Sequence, residues 1–267
     1  MTSGAHHHLK RLNAPIQWGL DKFGGKYAVR PLPGPHNKSL SIPLKYIIAR
    51  FLKVANTSKE IEYIISEKMI SINGKDADSG KFPVGLFDVI TIKKSNLHFR
   101  LYFGPNKKFK LRKISSDEAQ FRITKVVSKY VYNRVPLTAA LDGFNFKFAD
   151  PSINVADTVK VDIKTNQIVS AIGIEVGKIG YVFLGTNAGR MGVIKRIDLA
   201  IDGRKTIQLQ DKNMKLFNVP EAGMMVVGND EKSILVSFDQ EDGVRLNNFE
   251  RSNIKYATED KVEVEDD

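Results

Sequence analysis

Proline and glycine dominate the first 43 residues and constrain the fold of this chain more than any other feature. They include Pro15, Pro31, Pro33, Pro35 and Pro43 and Gly19, Gly24, Gly25 and Gly34. Proline fixes φ and removes a backbone donor, so neither a continuous helix nor a central strand can form here. The segment also carries apolar bulk, including Trp18, which predicts an extended arm that becomes ordered against a surface. Because residues 1–59 hold ten basic residues and one acidic residue, that surface is either RNA, which this charge favours, or the protein's own core.

Positive charge is concentrated in two blocks. The chain has 41 Lys and Arg against 30 Asp and Glu, a formal net charge of +11. Residues 1–59 hold ten basic residues and one acidic residue, and residues 92–134 hold twelve and two. Such blocks attract a polyanion by counterion release, so nucleic acid is the first candidate partner. Residues 257–267 have six acids and one lysine, which predicts a disordered acidic tail.

Composition and motifs argue against several other classes. The absence of cysteine excludes disulfides, thiolate catalysis and cysteine-ligated zinc. No apolar run approaches the ~20 residues of a membrane span, and we expect no secretory signal. His6, His7 and His8 are adjacent in a flexible arm and make a poor metal site. We therefore expect no cofactor, no metal and no membrane partner.

Two short helices and a hairpin are predicted after Pro43. Leu44, Ile47, Ile48, Phe51 and Leu52 repeat at helical spacing, whereas Lys45, Arg50 and Lys53 fall elsewhere on the helix surface. Residues 57–60 can form a capping box for a second helix that ends near Lys68. The dipeptide Asn73-Gly74 indicates a tight hairpin turn with both residues at positive φ. A strand around residues 88–92 closes this unit.

Beyond residue 95 the pattern is mostly β. Residues 158–163 alternate strictly, and a polar turn precedes residues 168–169, which predicts a hairpin. Short apolar runs broken by glycines at 171–197 indicate a small barrel, with strands at 181–184 and 192–195. Further strands are expected at 224–227 and 234–238.

Three segments carry a resemblance to one family. They are residues 8–22 (HLKRLNAPIQWGLDK, continued by Gly34-Pro35-His36), residues 70–75 with 85–90 (ISINGK and GLFDVI), and residues 185–194 (GTNAGRMGVI). The first resembles the N-terminal signature of the eukaryotic and archaeal small-subunit ribosomal protein of the S-four-e type. The second resembles the small RNA-binding domain shared by that protein, some pseudouridine synthases and bacterial tyrosyl-tRNA synthetases. The third resembles the loop of a KOW motif. The acidic tail departs from the family, whose members tend to end in basic residues.

The resemblance implies an α+β fold in six parts. These are a basic N-terminal arm (1–42), a small two-helix RNA-binding domain with short strands (43–94), a central β-rich domain (95–172), an SH3-like KOW barrel (173–208), a β-rich C-terminal region (209–256) and the acidic tail (257–267). The expected partners are small-subunit rRNA and neighbouring ribosomal proteins, with no small-molecule substrate. The expected location is the cytoplasm, with assembly in the nucleolus if the source is eukaryotic.

RNA contacts are expected where cations, aromatic rings and glycines meet, because folded RNA is recognised through phosphates, shape and stacking. The candidate residues are Lys10, Arg11, Trp18, Lys22, Arg30, His36, Lys38, Lys45, Arg50, Lys53, Asn187 and Arg190. Trp18 has the alternative of anchoring the arm on the protein's own core, and Arg190 that of a solvated loop charge. We expect Gly185, Gly189 and Gly192 to adopt positive φ and to let a phosphate approach the main chain.

Two other functions remain open on the sequence. An RNA-modifying enzyme would need a catalytic aspartate, but Asp142 and Asp150 precede Gly and Pro, where a turn is the ordinary explanation. We therefore expect no catalysis. A non-ribosomal elongation factor with a KOW barrel would explain residues 185–194 but not residues 8–22.

Overall fold

Strands prevail over helices in this protein. The computed structural model describes residues 8–229, 233–239, 243–253 and 256, so the predicted acidic tail and His6 and His7 lie outside the described residues. Within those ranges the strands form three five-stranded sheets and two two-stranded ones. The named strands pair antiparallel, which short connections permit.

The N-terminal arm is folded against the rest of the chain. Its regular structure consists of strand β1 (Leu9–Lys10) paired with β2 (Tyr27–Ala28), and 3-10 turns at Arg11–Asn13, Ile16–Trp18 and Lys38–Leu40. Leu9, Trp18 and Leu40 are buried in the main hydrophobic core. Of the two predicted surfaces for the arm, the structure shows the protein's own core. The arm does not project as an extended segment, because Leu9, Trp18 and Leu40 anchor it in the core, although Leu12, Ile16 and Phe23 remain exposed.

The small domain contains the two predicted helices. Its elements are β3 (Ser41–Pro43), helix α1 (Leu44–Tyr46), which continues as a π-helix (Ile47–Phe51), helix α2 (Ser58–Ser66), β4 (Ile70–Ile72), β5 (Lys75–Asp76), β6 (Pro83–Gly85) and β7 (Val89–Ile92). Leu44, Ile47 and Ile48 are fully buried, which confirms the predicted apolar face.

Local signals fix the ends of these elements. The capping box of α2 is present, since Glu60 N donates to Thr57 Oγ1 at 3.3 Å and Thr57 N donates to Glu60 Oε2 at 3.3 Å. Asn73 and Gly74 have φ of 47° and 77°, and β4 pairs with β5 across them. The predicted hairpin turn is therefore confirmed.

The first large sheet runs past the expected end of the small domain. Strands β8 (Leu97–Phe103) and β9 (Phe109–Ile114) extend it in the order β5-β4-β7-β8-β9. The expected boundary after residue 94 falls in the 3-10 turn Lys93–Ser95, which joins the paired strands β7 and β8. Backbone hydrogen bonds therefore cross the expected boundary, and the first sheet continues from the small domain into the next part.

The second large sheet has the order β12-β11-β10-β13-β14. Its strands are β10 (Phe121–Tyr132), β11 (Val135–Ala140), β12 (Asn145–Lys147), β13 (Thr158–Asp162) and β14 (Ile168–Ile172). The pairing of β13 with β14 confirms the predicted hairpin. This sheet has its own apolar cluster around Val126, Val159 and Val161.

The third large sheet has the order β18-β17-β16-β15-β19. Its strands are β15 (Ile179–Val182), β16 (Met191–Leu199), β17 (Lys205–Gln210), β18 (Leu216–Pro220) and β19 (Met224–Gly228). The expected boundary after residue 208 lies inside β17, so the division between barrel and C-terminal region is wrong at that point. The strand expected at 234–238 is also not formed; Ile234 makes one isolated bridge to Gly228.

Direct contacts join the sheets. Tyr181 on β15 donates its hydroxyl to Phe103 O at 3.0 Å and accepts from Phe103 N at 2.8 Å. Lys125 on β10 donates to Met224 O at 2.7 Å, and Val226 N donates to Thr158 Oγ1 at 2.9 Å. The main core accordingly includes side chains of the arm, the first sheet and the third sheet.

None of the helices in the described part of the chain has the length and apolar character needed to cross a membrane.

Candidate nucleic-acid interface

The twelve candidate residues divide by exposure. Lys10, Lys22, Lys38, Arg50 and Lys53 are exposed, Arg11, Arg30, Lys45, Asn187 and Arg190 are half-buried, and Trp18 and the side chain of His36 are buried. Only the first two groups can meet a polyanion without rearrangement of the fold.

Trp18 anchors the arm. Its side chain is 2% exposed, its Nε1 donates to Ser41 O at 2.7 Å, and its ring lies 5.8 Å from that of Tyr46. A base cannot stack on a ring in this position, so the anchor alternative replaces the expected RNA contact. The exposed lysines of the arm are thereby held on a fixed surface.

Two expected phosphate ligands also brace the arm. Arg50 donates to Asp21 Oδ2 at 2.9 Å and to Gly19 O at 2.9 Å, while Arg11 donates to Asp21 O at 3.2 Å. A guanidinium has five donors, so each arginine keeps donors beyond these bonds. Arg50 holds the loop around Asp21 against the small domain, and Arg11 braces the same loop within the arm.

A groove runs between the arm and helix α2. It has a volume of about 830 Å³, and its cations are Arg30, Lys45, Lys68 and Lys81. Lys45 donates to Ser58 Oγ at 2.7 Å near the start of α2. Tyr27 in its wall is 52% exposed and its ring lies 5.3 Å from that of His8. Glu62 and Asp78 also line it. Cations beside exposed rings suit both phosphate pairing and base stacking.

His36 forms an internal ion pair instead of an RNA contact. Its Nε2 lies 3.0 Å from Asp88 Oδ2, and the two side chains are 5% and 3% exposed. Asp88 also accepts from Asn73 Nδ2 and Gly85 N, each at 2.7 Å. A Cβ on Gly85 would lie 2.2 Å from the His36 ring, so glycine is required there. The expectation for His36 was wrong because its partners are about 50 residues away in sequence and no local pattern marks them.

Arg190 is neither a phosphate anchor nor a solvated charge. Its side chain is 12% exposed, pairs with the buried Asp211 carboxylate and lies 3.8 Å from the Phe217 ring centroid. It also donates to Asn187 Oδ1 at 3.2 Å. Burial raises the pKa of Asp211 despite the bond to Arg190. The loop charge is therefore used within the third sheet.

The glycines around Arg190 serve internal packing. Gly185 and Gly189 have φ of 85° and 87°, which confirms the predicted positive φ. Gly192 does not share that conformation; a Cβ there would lie 2.5 Å from Gln210 O, so the close approach of β17 requires it. A Cβ on Gly189 would lie 1.9 Å from Gly104 O. The close backbone approach that we expected toward a phosphate is made to the protein's own chain.

The second basic block is partly internal. Arg100, Arg122 and Lys125 are 1%, 2% and 4% exposed. Arg100 pairs with Glu118 at 3.4 Å, and Arg122 pairs with Asp142 at 2.5 Å. Burial lowers the pKa of Lys125 to about 8. Counting charges along the sequence included these residues in the basic block, because such a count treats every cation as exposed.

The two aspartates considered for catalysis have structural contacts. Asp142 is 6% exposed, pairs with Arg122 and accepts from Phe144 N at 3.2 Å. Asp150 caps a turn through Ser152 N at 3.5 Å. Among the residues that the structure describes, no group of three or more acidic or histidine side chains is arranged to hold a metal ion.

Taken together, fold and surface define a basic, antiparallel β-rich protein whose exposed lysines lie on an arm packed against its core. Clustered lysines of this kind are characteristic of the class of nucleic-acid-binding proteins. Two family models match: "Ribosomal family S4e" over residues 95–168 and the "RS4NT (NUC023) domain" over residues 3–39. The chain belongs to the ribosomal S4e family.

Two relatives agree with this membership, and one solved structure agrees with the fold. "Small ribosomal subunit protein eS4" of Caenorhabditis elegans is 34% identical over 255 residues, which cover 95% of this chain and 98% of the relative. The protein of the same name from Dictyostelium discoideum is 32% identical over 254 residues, 95% of each chain. The crystal structure of the 30S ribosomal protein S4e from Thermoplasma acidophilum has 24% identity and a TM-score of 0.62, and the match covers 74% of this chain and 99% of that one. That structure supports the fold alone.

Proposed function

We propose that this chain is a non-catalytic structural constituent of the small ribosomal subunit, where it binds and stabilises folded rRNA mainly through phosphate contacts. The relatives that span nearly its whole length are named as small-subunit proteins. The observation that carries the phosphate contacts is the fixed display of exposed lysines on the arm and small domain, Lys10, Lys22, Lys38 and Lys53.

Rigid display matters for affinity. Each immobilised long side chain costs about 0.5–1.5 kcal/mol on binding, and an arm that also had to fold would add its own ordering cost. Because Trp18 is already buried, that second cost is absent here. The groove with Arg30 and Lys45 offers a second place for the RNA backbone.

We assign the KOW barrel that was expected at residues 173–208 to the third sheet, which spans residues 179–228. Four strands follow one another along the chain, and β19 returns to pair with β15. Since Arg190 and Asn187 are engaged internally, RNA contacts of this sheet would come from other exposed cations such as Lys195 and Arg196.

Co-sedimentation tests this proposal. Tagged protein expressed in its own cells should migrate with the small subunit on a sucrose gradient and stay there at moderate salt. In the assembled subunit its other partners would be neighbouring ribosomal proteins. The protein would act in the cytoplasm and, in a eukaryote, would assemble into subunits in the nucleolus. Recovery only at the top of the gradient would contradict the proposal and favour a non-ribosomal RNA-binding module.

A further inference from the structure

The hairpin of β10 and β11 leaves the core in its outer half. Val126 is fully buried, whereas every residue from Val127 to Tyr132 is exposed. A register shift between Val126 and Ser128 marks the change. Such a bulge bends a strand and redirects the side chains that follow. The outer hairpin therefore presents a surface that the protein's own core does not use.

One face of this hairpin is aromatic. Tyr130 pairs with Leu137 and Tyr132 pairs with Val135, and paired or alternate residues share a face. The two tyrosines are 43% and 64% exposed. Leu137 also pairs with Lys147 on β12, so a lysine lies on the same face. The result is a flat platform of two exposed rings and a cation.

The charge of the hairpin has a single sign. Lys129, Arg134 and Lys147 are exposed, and Asp142 is the one carboxylate between residues 127 and 149. Asp142 is buried and paired with Arg122 at 2.5 Å. The cations of the exposed hairpin complement a polyanion, and its two tyrosine rings complement flat groups such as bases. An acidic peptide would match the cations but would make no specific use of the rings.

The tip of the hairpin keeps a cation where glycine would be easier. Asn133 and Arg134 have φ of 49° and 65°, the combination of a two-residue type I′ turn. Such turns strongly favour glycine in the second position, because a side chain in the left-handed region is strained. Strain at an exposed position is a reason to ask what its side chain does. Here Arg134 adds a charge at the tip of the aromatic platform.

We propose that the face of Tyr130, Tyr132 and Lys147, with Arg134 at the tip, binds unpaired RNA nucleotides by stacking bases on the two tyrosines while the cations pair with phosphates. This inference rests on the proposed function, in which the partner is rRNA, and adds a base-stacking site to its phosphate contacts. Aromatic platforms beside cations are how proteins bind single strands without sequence preference.

Binding of a fluorescent oligouridylate of about 12 nucleotides, compared with a duplex RNA of the same length, tests the platform. The full chain with Tyr130→Ala and Tyr132→Ala should bind the single strand at least about five-fold more weakly, with duplex binding unchanged. Tyr130→Phe with Tyr132→Phe keeps both rings and should bind like wild type. Equal affinity of the Ala and wild-type proteins for the single strand would overturn the inference.

Substitution of Arg134 at the hairpin tip is an independent test, because it should affect thermal stability and RNA affinity differently. Arg134→Gly relieves the left-handed strain, so the melting temperature should stay the same or rise, while single-strand affinity falls and the salt slope drops by about one. Arg134→Lys should keep the slope. If Arg134→Gly leaves affinity and slope unchanged, the tip is not part of an RNA site.

The two proposals can fail separately. Loss of co-sedimentation with tyrosine-dependent oligouridylate binding retained would reject the ribosomal role but support this platform. Poor incorporation of the Ala variant into subunits, with its oligouridylate binding intact, would instead assign the face to a protein neighbour and overturn the inference.

Discussion

At the scale of single residues, the pair of His36 and Asp88 joins the arm to the small domain. Burial by itself lowers the pKa of His36 and raises that of Asp88. The attraction and hydrogen bond between them outweigh burial, so the pKa of His36 is raised and that of Asp88 is lowered. Both shifts favour the charged forms of the pair, so its strength depends on pH.

The sign of that dependence follows from the two shifts. The contribution of His36 is fully present below its unfolded pKa of about 6.5 and is lost as pH rises through the higher folded value. That of Asp88 is present above about pH 4 and is lost as pH falls further. We predict that the melting temperature falls between about pH 6 and pH 8, and that His36→Gln removes this slope.

Differential scanning calorimetry across that range measures the effect, with His98→Gln as the control for loss of a half-buried histidine. Lys125, with a pKa of about 8, loses its proton in the upper part of this range, and because its folded pKa is depressed this titration adds stability as pH rises. It is common to both proteins, so the difference in slope between wild type and His36→Gln isolates the pair. An unchanged slope in His36→Gln would contradict the assignment.

The pair of Arg190 and Asp211 predicts a second residue-scale effect. Arg190→Ala removes the partner of a carboxylate whose side chain has no exposed surface. Breaking a buried pair in this way costs about 3–5 kcal/mol, so the variant should be strongly destabilised in urea titrations.

Arg196→Ala is the matched control, because its side chain is 74% exposed and pairs with the partly exposed Asp198. It should leave the urea midpoint nearly unchanged. Equal midpoints for the two variants would show that Arg190 is a solvated loop charge after all.

At the scale of elements, the arm depends on Trp18, the one tryptophan of the chain. We predict that in the free protein its emission is blue-shifted and resists iodide, because its side chain is 2% exposed. Trp18→Ala should destabilise the protein by about 3–5 kcal/mol and let trypsin cut the arm at Lys22 and Lys26.

Leu12→Ala is the control for this experiment, since Leu12 is 73% exposed. It should digest at the wild-type rate. Rapid cleavage of the wild-type arm, at the rate of Trp18→Ala, would restore the alternative in which the arm becomes ordered only on RNA.

Elements set by local chemistry were predictable from the sequence. The capping box at Thr57 and Glu60, the turn at Asn73 and Gly74 and the hairpin of β13 and β14 each depend on a few neighbouring residues. Order within a sheet depends on distant pairings, which explains why the first sheet continues past the boundary expected after residue 94 and why the boundary expected after residue 208 falls inside a strand. No short pattern reveals that β8 and β9 join the sheet of the small domain.

The sequence predicted the environment of those candidate residues that have no side-chain partner elsewhere in the chain. Lysines such as Lys22 and Lys53 are exposed as expected, because a lone ammonium is rarely buried. His36, Arg190 and Trp18 have partners far along the chain, so residue type and local spacing misassigned them. The same limit applies to Arg100 and Arg122, which the charge count included as RNA ligands.

At the scale of the whole molecule, the arm, the first sheet and part of the third sheet share the main core, the second sheet has its own apolar cluster, and exposed cations lie on the outside. Buried pairs such as Arg122 with Asp142 use part of the positive charge for internal contacts. The remaining, exposed cations are available to a partner. The net charge of +11 is therefore informative about RNA binding only after the buried residues have been separated from the exposed ones.

The salt dependence of rRNA binding tests the central claim most directly. A plot of log affinity for small-subunit rRNA against log salt should have a slope of several units. Replacing Lys10, Lys22, Lys38 and Lys53 by Gln should reduce the magnitude of that slope by about 0.7–0.9 for each phosphate that is no longer neutralised, with the fold intact. The control replaces four exposed lysines outside the basic blocks, Lys75, Lys164, Lys205 and Lys212. We predict a clear reduction for the first variant and a smaller one for the control; a slope near zero in wild type, or equal slopes in wild type and the first variant, would contradict the account.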